Sequence, residues 1–129
     1  MTPHNLAVAL LLAIVVLAGC ASTPFERLGF RRLAGGSHLQ QGIAHYEEGN
    51  YRAAARRLQF ALEEGLSVQE RVTAHKYLAF ISCVSGQQTT CREEFAIALS
   101  LDPKFILSPA ESGHPIWGPV FKSAKTAKK

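Results

Sequence analysis

Small residues recur at a fixed offset of 37 positions along the middle of this 129-residue chain, and no other feature constrains its fold as strongly. The first set is Gly42, Gly49, Ala54 and Ala61, and the second is Ala79, Gly86, Cys91 and Ala98. The large apolar residues Leu58 and Phe95 stand at matching positions between them. Because small side chains at these spacings let helix backbones approach closely, the pattern predicts two similar helical hairpins.

Four helices fit this pattern, over residues 38–48, 51–64, 68–84 and 91–101. Each follows a residue suited to a helix N-cap, namely Ser37, Asn50, Ser67 and Thr90. The short connections predict antiparallel packing. Residues 37–103, which end at Pro103, resemble about two tetratricopeptide repeats, and this resemblance implies an all-α fold. A generic pair of helical hairpins is the alternative.

Two hairpins are too few to bury a continuous core, so the flanking segments must cover it. Upstream, residues 24–34 predict a short helix, with an apolar stripe of Phe25, Leu28, Phe30 and Leu33, before a break at Gly35-Gly36. Downstream, residues 104–129 predict a capping segment and a basic tail. Ser108 and Glu111 suit a capped turn ended by Gly113. A last helix is expected to begin between Ile116 and Pro119, with Ile116, Trp117, Val120 and Phe121 on its buried face.

The N-terminus resembles a bacterial lipoprotein signal. Thirteen uncharged residues, from Leu6 to Ala18, are too few to span a bilayer comfortably and suit a signal-peptide apolar region. Residues 17–20 (Leu-Ala-Gly-Cys) resemble a lipobox, which predicts cleavage after residue 19 and lipidation of Cys20 by palmitate-type acyl chains. Residues 20–36 would then form a lipidated tether. Ala21 favours the periplasmic face of the outer membrane over inner-membrane retention. Residues 1–5 lack the expected Lys or Arg, and an uncleaved apolar anchor or a buried helix is the alternative.

Cys83 and Cys91 flank the turn of the second hairpin. In an oxidising compartment such a pair predicts a disulfide, and closing so short a loop stabilises the fold by about 2.5 kcal/mol in the chain-entropy model. Two buried, unbonded thiols are the alternative. The spacing is not the CxxC of redox-active pairs.

No nucleophile elbow, phosphate loop or paired catalytic carboxylates are visible in the sequence. The five histidines show no metal-ligand spacing. We therefore expect no enzymatic activity, no metal, and no cofactor apart from the covalent lipid on Cys20. The formal net charge of +4 would suit nucleic acid, but an exported protein rarely meets it, so we expect no nucleic-acid partner.

The inner face of the first helix of each hairpin is the predicted partner-binding surface. It carries Leu39, Ile43, Tyr46, Glu47, Lys76, Phe80 and Val84. Repeat proteins bind extended or helical peptides in such a concave groove. The alternative is that the protein's own N-terminal segment or tail covers this groove.

A more specific resemblance lies in residues 74–122, above all in the run from Pro109 to Phe121, PAESGHPIWGPVF. Together with the repeats and the lipobox, this stretch resembles the TssQ family of lipoproteins associated with the bacterial type VI secretion system. The resemblance implies an adaptor or accessory component of that apparatus, with protein partners in the cell envelope, and it supplies no catalytic residue. The alternative function is a self-capped structural lipoprotein of another envelope complex, without a peptide-binding groove.

Overall fold

The structure, a computed structural model, describes residues 24–127, with side-chain surroundings from residue 34 onward. Within this range the chain forms six helices and no strand: α1 Pro24–Glu47, α2 Tyr51–Glu64, α3 Val68–Val84, α4 Gln88–Leu101, α5 Pro109–Ser112 and α6 Gly118–Thr126. The expectations for the signal peptide, for Cys20 and for the apolar stripe around Phe25 fall outside the described residues and side chains.

The helices pack as two hairpins, α1 with α2 and α3 with α4. The hairpins contact each other where α3 packs against both α1 and α2. Helix α6 packs against α4 of the second hairpin. The predicted all-α fold of helical hairpins is therefore confirmed.

Residues paired by the 37-residue offset within the helices are buried in both hairpins, whereas Gly49 and Gly86 lie in exposed turns. Ala54 and Cys91 are each 0% exposed, as are Leu58 and Phe95. Gly42 allows α1 and α2 to approach closely, because a Cβ there would lie 2.7 Å from Leu58 Cγ. Small residues therefore stand where one helix backbone meets side chains of the next.

Three of the predicted caps are present. The Asn50 side chain accepts a hydrogen bond from the Ala53 N–H, and α2 begins at the next residue. Ser67 and Ser108 each form a reciprocal capping box, with Glu70 and Glu111 respectively. The predicted starts of α2, α3 and the turn at α5 are confirmed because these side chains satisfy N–H groups that a helix end leaves unpaired.

The predicted break at Gly35-Gly36 is wrong, because α1 runs through it without interruption. A side chain at Gly35 would overlap the backbone carbonyl of Gly65, so this glycine permits close helix packing instead of ending a helix. Ser37 consequently lies inside α1, where its Oγ accepts a hydrogen bond from Gln41 Nε2 at 3.2 Å, and it caps nothing.

The predicted cap at Thr90 is also wrong. Helix α4 begins at Gln88, and Gln87 is its N-cap residue without a side-chain hydrogen bond. Gly86, with φ +78°, ends the preceding turn close to the new helix. Because this turn is short, α4 begins at Gln88. Thr90 therefore lies inside the first turn of α4 and is not its N-cap residue.

The core has two parts. One joins α1, α2 and α3 around Leu58, Leu39 and Leu78. The other joins α3 and α4 to residues 104–127, which we call the tail. It is built around Phe80, Phe95 and the tail residues Trp117 and Phe121. Helix α6 begins at Gly118, inside the predicted window, and the C-terminal segment therefore supplies the covering layer that two hairpins lack. The prediction that Ile116 is buried is wrong, since its side chain is 45% exposed.

Candidate protein-interaction site

The predicted groove residues lie on α1 and α3, but the groove is not open. Leu39 is 3% exposed and Phe80 is 2% exposed. Partial burial is shared by the other candidates, Ile43, Tyr46, Lys76 and Val84, whereas Glu47 is exposed. The prediction that Leu39 and Phe80 contact a partner is therefore wrong, because both side chains are already inside the core.

The tail closes the groove by placing an indole on Phe80. The rings of Trp117 and Phe80 are stacked, with centroids 4.4 Å apart and an interplanar angle of 26°. Trp117 Nε1 donates a hydrogen bond to the carbonyl oxygen of Glu111 at 2.9 Å. His114 stacks on the Trp117 ring, with centroids 3.4 Å apart, and its Nδ1 accepts a hydrogen bond from the Ile116 N–H. The tail thus occupies the position that the groove hypothesis assigned to a bound peptide.

A partly buried ion pair fastens the same segment to α3. Lys76 Nζ lies 2.7 Å from Glu111 Oε1, and Glu111 Oε2 accepts a hydrogen bond from the Ser108 N–H at 2.9 Å. Burial raises the pKa of Glu111, but the hydrogen bond from Lys76, the bonds from Ser108 and the lysine charge outweigh it and leave the pKa lowered. Lys76 Nζ also lies over the rings of Tyr77 and Phe80, at 4.8 Å and 5.7 Å from their centroids. Such an ammonium is held by cation–π attraction as well as by its carboxylate.

Aromatic rings continue from Phe80 towards the surface. Tyr46 lies 5.1 Å from Tyr77 and 5.6 Å from Tyr51, measured between ring centroids. Burial, and then the neighbouring tyrosines and Glu111, raise the pKa of Tyr46 to about 12, and burial raises that of Tyr77. Both phenols therefore stay neutral at physiological pH and keep their O–H donors. Tyr46 and Tyr51, which we call the tyrosine rim, are not buried and form the part of the groove that the tail leaves accessible. Tyrosines combine apolar area with a polar tip and are enriched in protein interfaces.

The second hairpin contains the Cys83–Cys91 disulfide, with the Cα atoms 5.1 Å apart. Cys83 is 4% exposed and Cys91 is 0% exposed. The bond joins the end of α3 to the start of α4 beside Phe80 and Phe95. It therefore fixes the helices on which the tail rests.

Sequence reasoning missed two long-range contacts between charged or titratable side chains in residues 34–127. Lys76 and Glu111 are 35 positions apart, and His75 pairs with Glu94 across α3 and α4 at 2.7 Å between Nδ1 and Oε2. The capping box identified Glu111 as a local residue, but one of its oxygens caps α5 while the other reaches Lys76. The local sequence signal revealed only the first of these roles.

Among residues 24–127, no helix is both long enough and apolar enough to cross a bilayer. The same part of the chain holds no group of three or more His, Cys, Asp or Glu side chains arranged to bind a metal ion.

No protein-family model, curated protein sequence or solved structure matched this chain.

Proposed function

We propose that this chain is a self-capped, lipid-anchored accessory protein of a cell-envelope complex, held at the periplasmic face of the outer membrane. The resemblance of residues 74–122 favours the type VI secretion apparatus as that complex. The observation that carries the proposal is the stack of Trp117 on Phe80, because the chain's own C-terminal segment covers the Phe80 end of the predicted groove. A protein capped in this way contacts partners through its outer surfaces.

The lipobox at residues 17–20 supports the membrane anchor. Helix α1 begins at Pro24, so only four residue steps separate it from Cys20. An extended backbone covers at most about 3.6 Å per residue, and the tether therefore reaches about 14 Å. This short tether would keep the helical hairpins close to the membrane surface that holds the lipid.

The equivalent burial of aligned positions in both hairpins supports the tetratricopeptide interpretation. Residues at the 37-residue offset fill the same packing positions, as the 0% exposure of Ala61 and Ala98 illustrates. In such repeats the hairpins are a rigid scaffold for protein contacts. We propose that the tyrosine rim of Tyr46 and Tyr51, and not the covered Phe80, belongs to this contact surface.

Membrane fractionation of a Cys20→Ser variant tests the anchor. We expect this variant to leave the membrane fraction, because a lipid cannot attach through the serine. A Cys83→Ser/Cys91→Ser double variant is the matched control, since it replaces the other two cysteines but keeps Cys20, and it should remain with the membrane. Retention of Cys20→Ser on membranes that have been washed with high salt would refute the anchor.

Site-specific photocrosslinking tests the contact surface. We expect a photoreactive side chain at Tyr46 to label a secretion component, and one at Phe80 to label only the chain's own tail. Labelling of a partner from Phe80 would show an open groove and would contradict self-capping. Unchanged type VI secretion after deletion of the gene would argue against the apparatus role.

A further inference from the structure

A second surface, on a different side of α1 from the groove residues Ile43 and Tyr46, lies between α1 and α2. A cavity of about 400 Å³ is lined by His45 of α1 and by Ala53, Arg56, Arg57 and Phe60 of α2. We refer to these five residues as the basic cavity. Its volume lies in the range of small-ligand sites, so it could accommodate a few side chains of a bound peptide. Phe60 is 43% exposed, so an apolar wall stands beside the two guanidinium groups.

His38 contacts two of the residues that line the basic cavity. Arg57 Nη1 lies 3.3 Å from His38 Nδ1, and the His38 ring packs edge-on against Phe60 with centroids 4.7 Å apart. A guanidinium group has only donors, so His38 accepts through Nδ1. One histidine therefore positions both a cation and an aromatic ring, and it leaves the other N–H groups of Arg57 available.

The two arginines have no acidic partner among the residues whose side chains the structure describes. Neither Arg56 nor Arg57 takes part in an ion pair among residues 34–127. Arg52 stands four residues before Arg56, and such like-charged pairs destabilise a helix. The helix has no acidic residue in its first turn and no basic residue in its last turn, the opposite of what its dipole favours. Helix stability therefore does not explain these charges, and both exposed guanidinium groups remain available to an external anion.

We propose that the basic cavity binds an acidic segment of a partner protein, with a carboxylate on Arg56 and Arg57 and an adjacent apolar side chain on Phe60. Arginine binds carboxylates through paired, charge-assisted hydrogen bonds, and these bonds are stronger than neutral ones. Glu48 Oε2 lies 3.3 Å from His45 Nδ1, so we expect the partner's carboxylate on the arginine side of the cavity, away from this like charge. The inference depends on the proposed function only in expecting a protein partner.

Two observations favour a peptide over the phosphate of a lipid head group. The exposed Phe60 ring offers apolar contact that a hydrated phosphate does not use. The cavity also lies far from the proposed anchor along α1. His45 follows Pro24 by 21 residues, and at about 1.5 Å per residue this separation is about 30 Å.

The test uses the full chain in a nonionic detergent and a fluorescent peptide of sequence GDLEFG with blocked ends. Fluorescence anisotropy measures affinity, and the side-chain N–H signals of arginine in NMR spectra locate the peptide. We expect binding that perturbs Arg56 and Arg57. The amide counterpart GNLQFG, inorganic phosphate and glycerol phosphate should each bind at least about tenfold more weakly.

Matched variants separate this site from general charge attraction. Arg56→Gln/Arg57→Gln should weaken peptide binding by about tenfold or more, and Phe60→Ala should weaken it by about fivefold. Arg71→Gln/Arg92→Gln removes the same charge from α3 and α4 and should leave affinity unchanged. All variants should keep the helical signal in circular dichroism.

Three results would overturn the proposal. The first is no perturbation of the Arg56 and Arg57 signals, and the second is equal weakening by both double variants. The third is tighter binding of inorganic phosphate or glycerol phosphate than of GDLEFG, which would assign the cavity to phosphate ions or to lipid head groups respectively. None of these results depends on lipidation of Cys20, so failure here is distinguishable from failure of the anchor.

Discussion

Replacement of Trp117 by alanine measures how strongly the tail holds the groove closed. The indole is 7% exposed, stacks on Phe80 and donates a hydrogen bond to the Glu111 carbonyl. A buried aromatic side chain hides about 150–250 Å², which at about 25 cal/mol/Å² is worth about 4–6 kcal/mol. Because the unfolded chain already buries part of this area, the figure is an upper estimate, and Trp-to-Ala changes in cores cost about 3–5 kcal/mol. We expect Trp117→Ala to lower the free energy of unfolding by about 4 kcal/mol.

Urea unfolding followed by far-ultraviolet circular dichroism is the appropriate assay, since Trp117 is the only tryptophan and its fluorescence is lost in the variant. A loss of about 4 kcal/mol would lower the midpoint by about 2–3 M urea for a domain of this size. Trp117→Phe keeps an aromatic ring but loses the N–H donor. Loss of the hydrogen bond to the Glu111 carbonyl should lower the free energy of unfolding by about 1–2 kcal/mol, in addition to the loss caused by the smaller ring. Ile116→Ala, at a neighbouring residue that is 45% exposed, should cost less than about 1 kcal/mol. Equal losses for Trp117→Ala and Ile116→Ala would refute the reasoning.

Three further predictions follow from the hairpins and the tyrosine rim. Gly42→Ala should lower the free energy of unfolding by about 1–3 kcal/mol, because its Cβ would overlap a packed leucine, whereas Gly36→Ala in the same helix has ordinary contacts and should be neutral or up to about 1 kcal/mol stabilising; chemical denaturation compares the two, and equal losses would contradict the packing. Replacing Cys83 and Cys91 together by serine should cost about 2.5 kcal/mol, and a thiol assay that finds both cysteines free in the unreduced native protein would contradict the disulfide. The Tyr46 phenol should ionise near pH 12 in an absorbance titration at alkaline pH. Since its folded pKa is raised from 10.0, stability should fall as pH rises from about 10 to 12; this loss should be smaller in Tyr46→Phe, and an unaltered pH profile would argue against burial of the phenol.

The hairpins were predictable because their signals are local or periodic. The 37-residue offset placed Ala54 opposite Cys91, and the structure buries both. Serines followed three residues later by glutamate identified two helix starts, since a capping box is formed within a single turn.

The run through Gly35 was not predictable from local propensity. Glycine disfavours a helix interior by about 1 kcal/mol relative to alanine, so propensity alone indicates a break. Tertiary contact reversed this preference, because the backbone at Gly65 approaches Gly35 too closely for any side chain. The sequence contains no local sign of that approach.

The sequence predicted where the groove lies but left open whether a partner or the chain itself covers it. Facing residues on α1 and α3 were identified correctly as one surface, as the Tyr46–Phe80 ring contact shows. Whether a partner or the tail covers Phe80 depends on the path of the chain between Pro103 and Trp117, which periodicity does not describe. Contacts between residues far apart in sequence, such as Lys76 with Glu111, hold the tail over Phe80.

The most direct test of the proposed function is the intact mass of the protein extracted from membranes of cells that express the native gene. The account predicts the mass of residues 20–129, increased by a diacylglyceryl-type modification on Cys20. A mass equal to the unmodified chain from Met1 would contradict both signal cleavage and lipid anchoring.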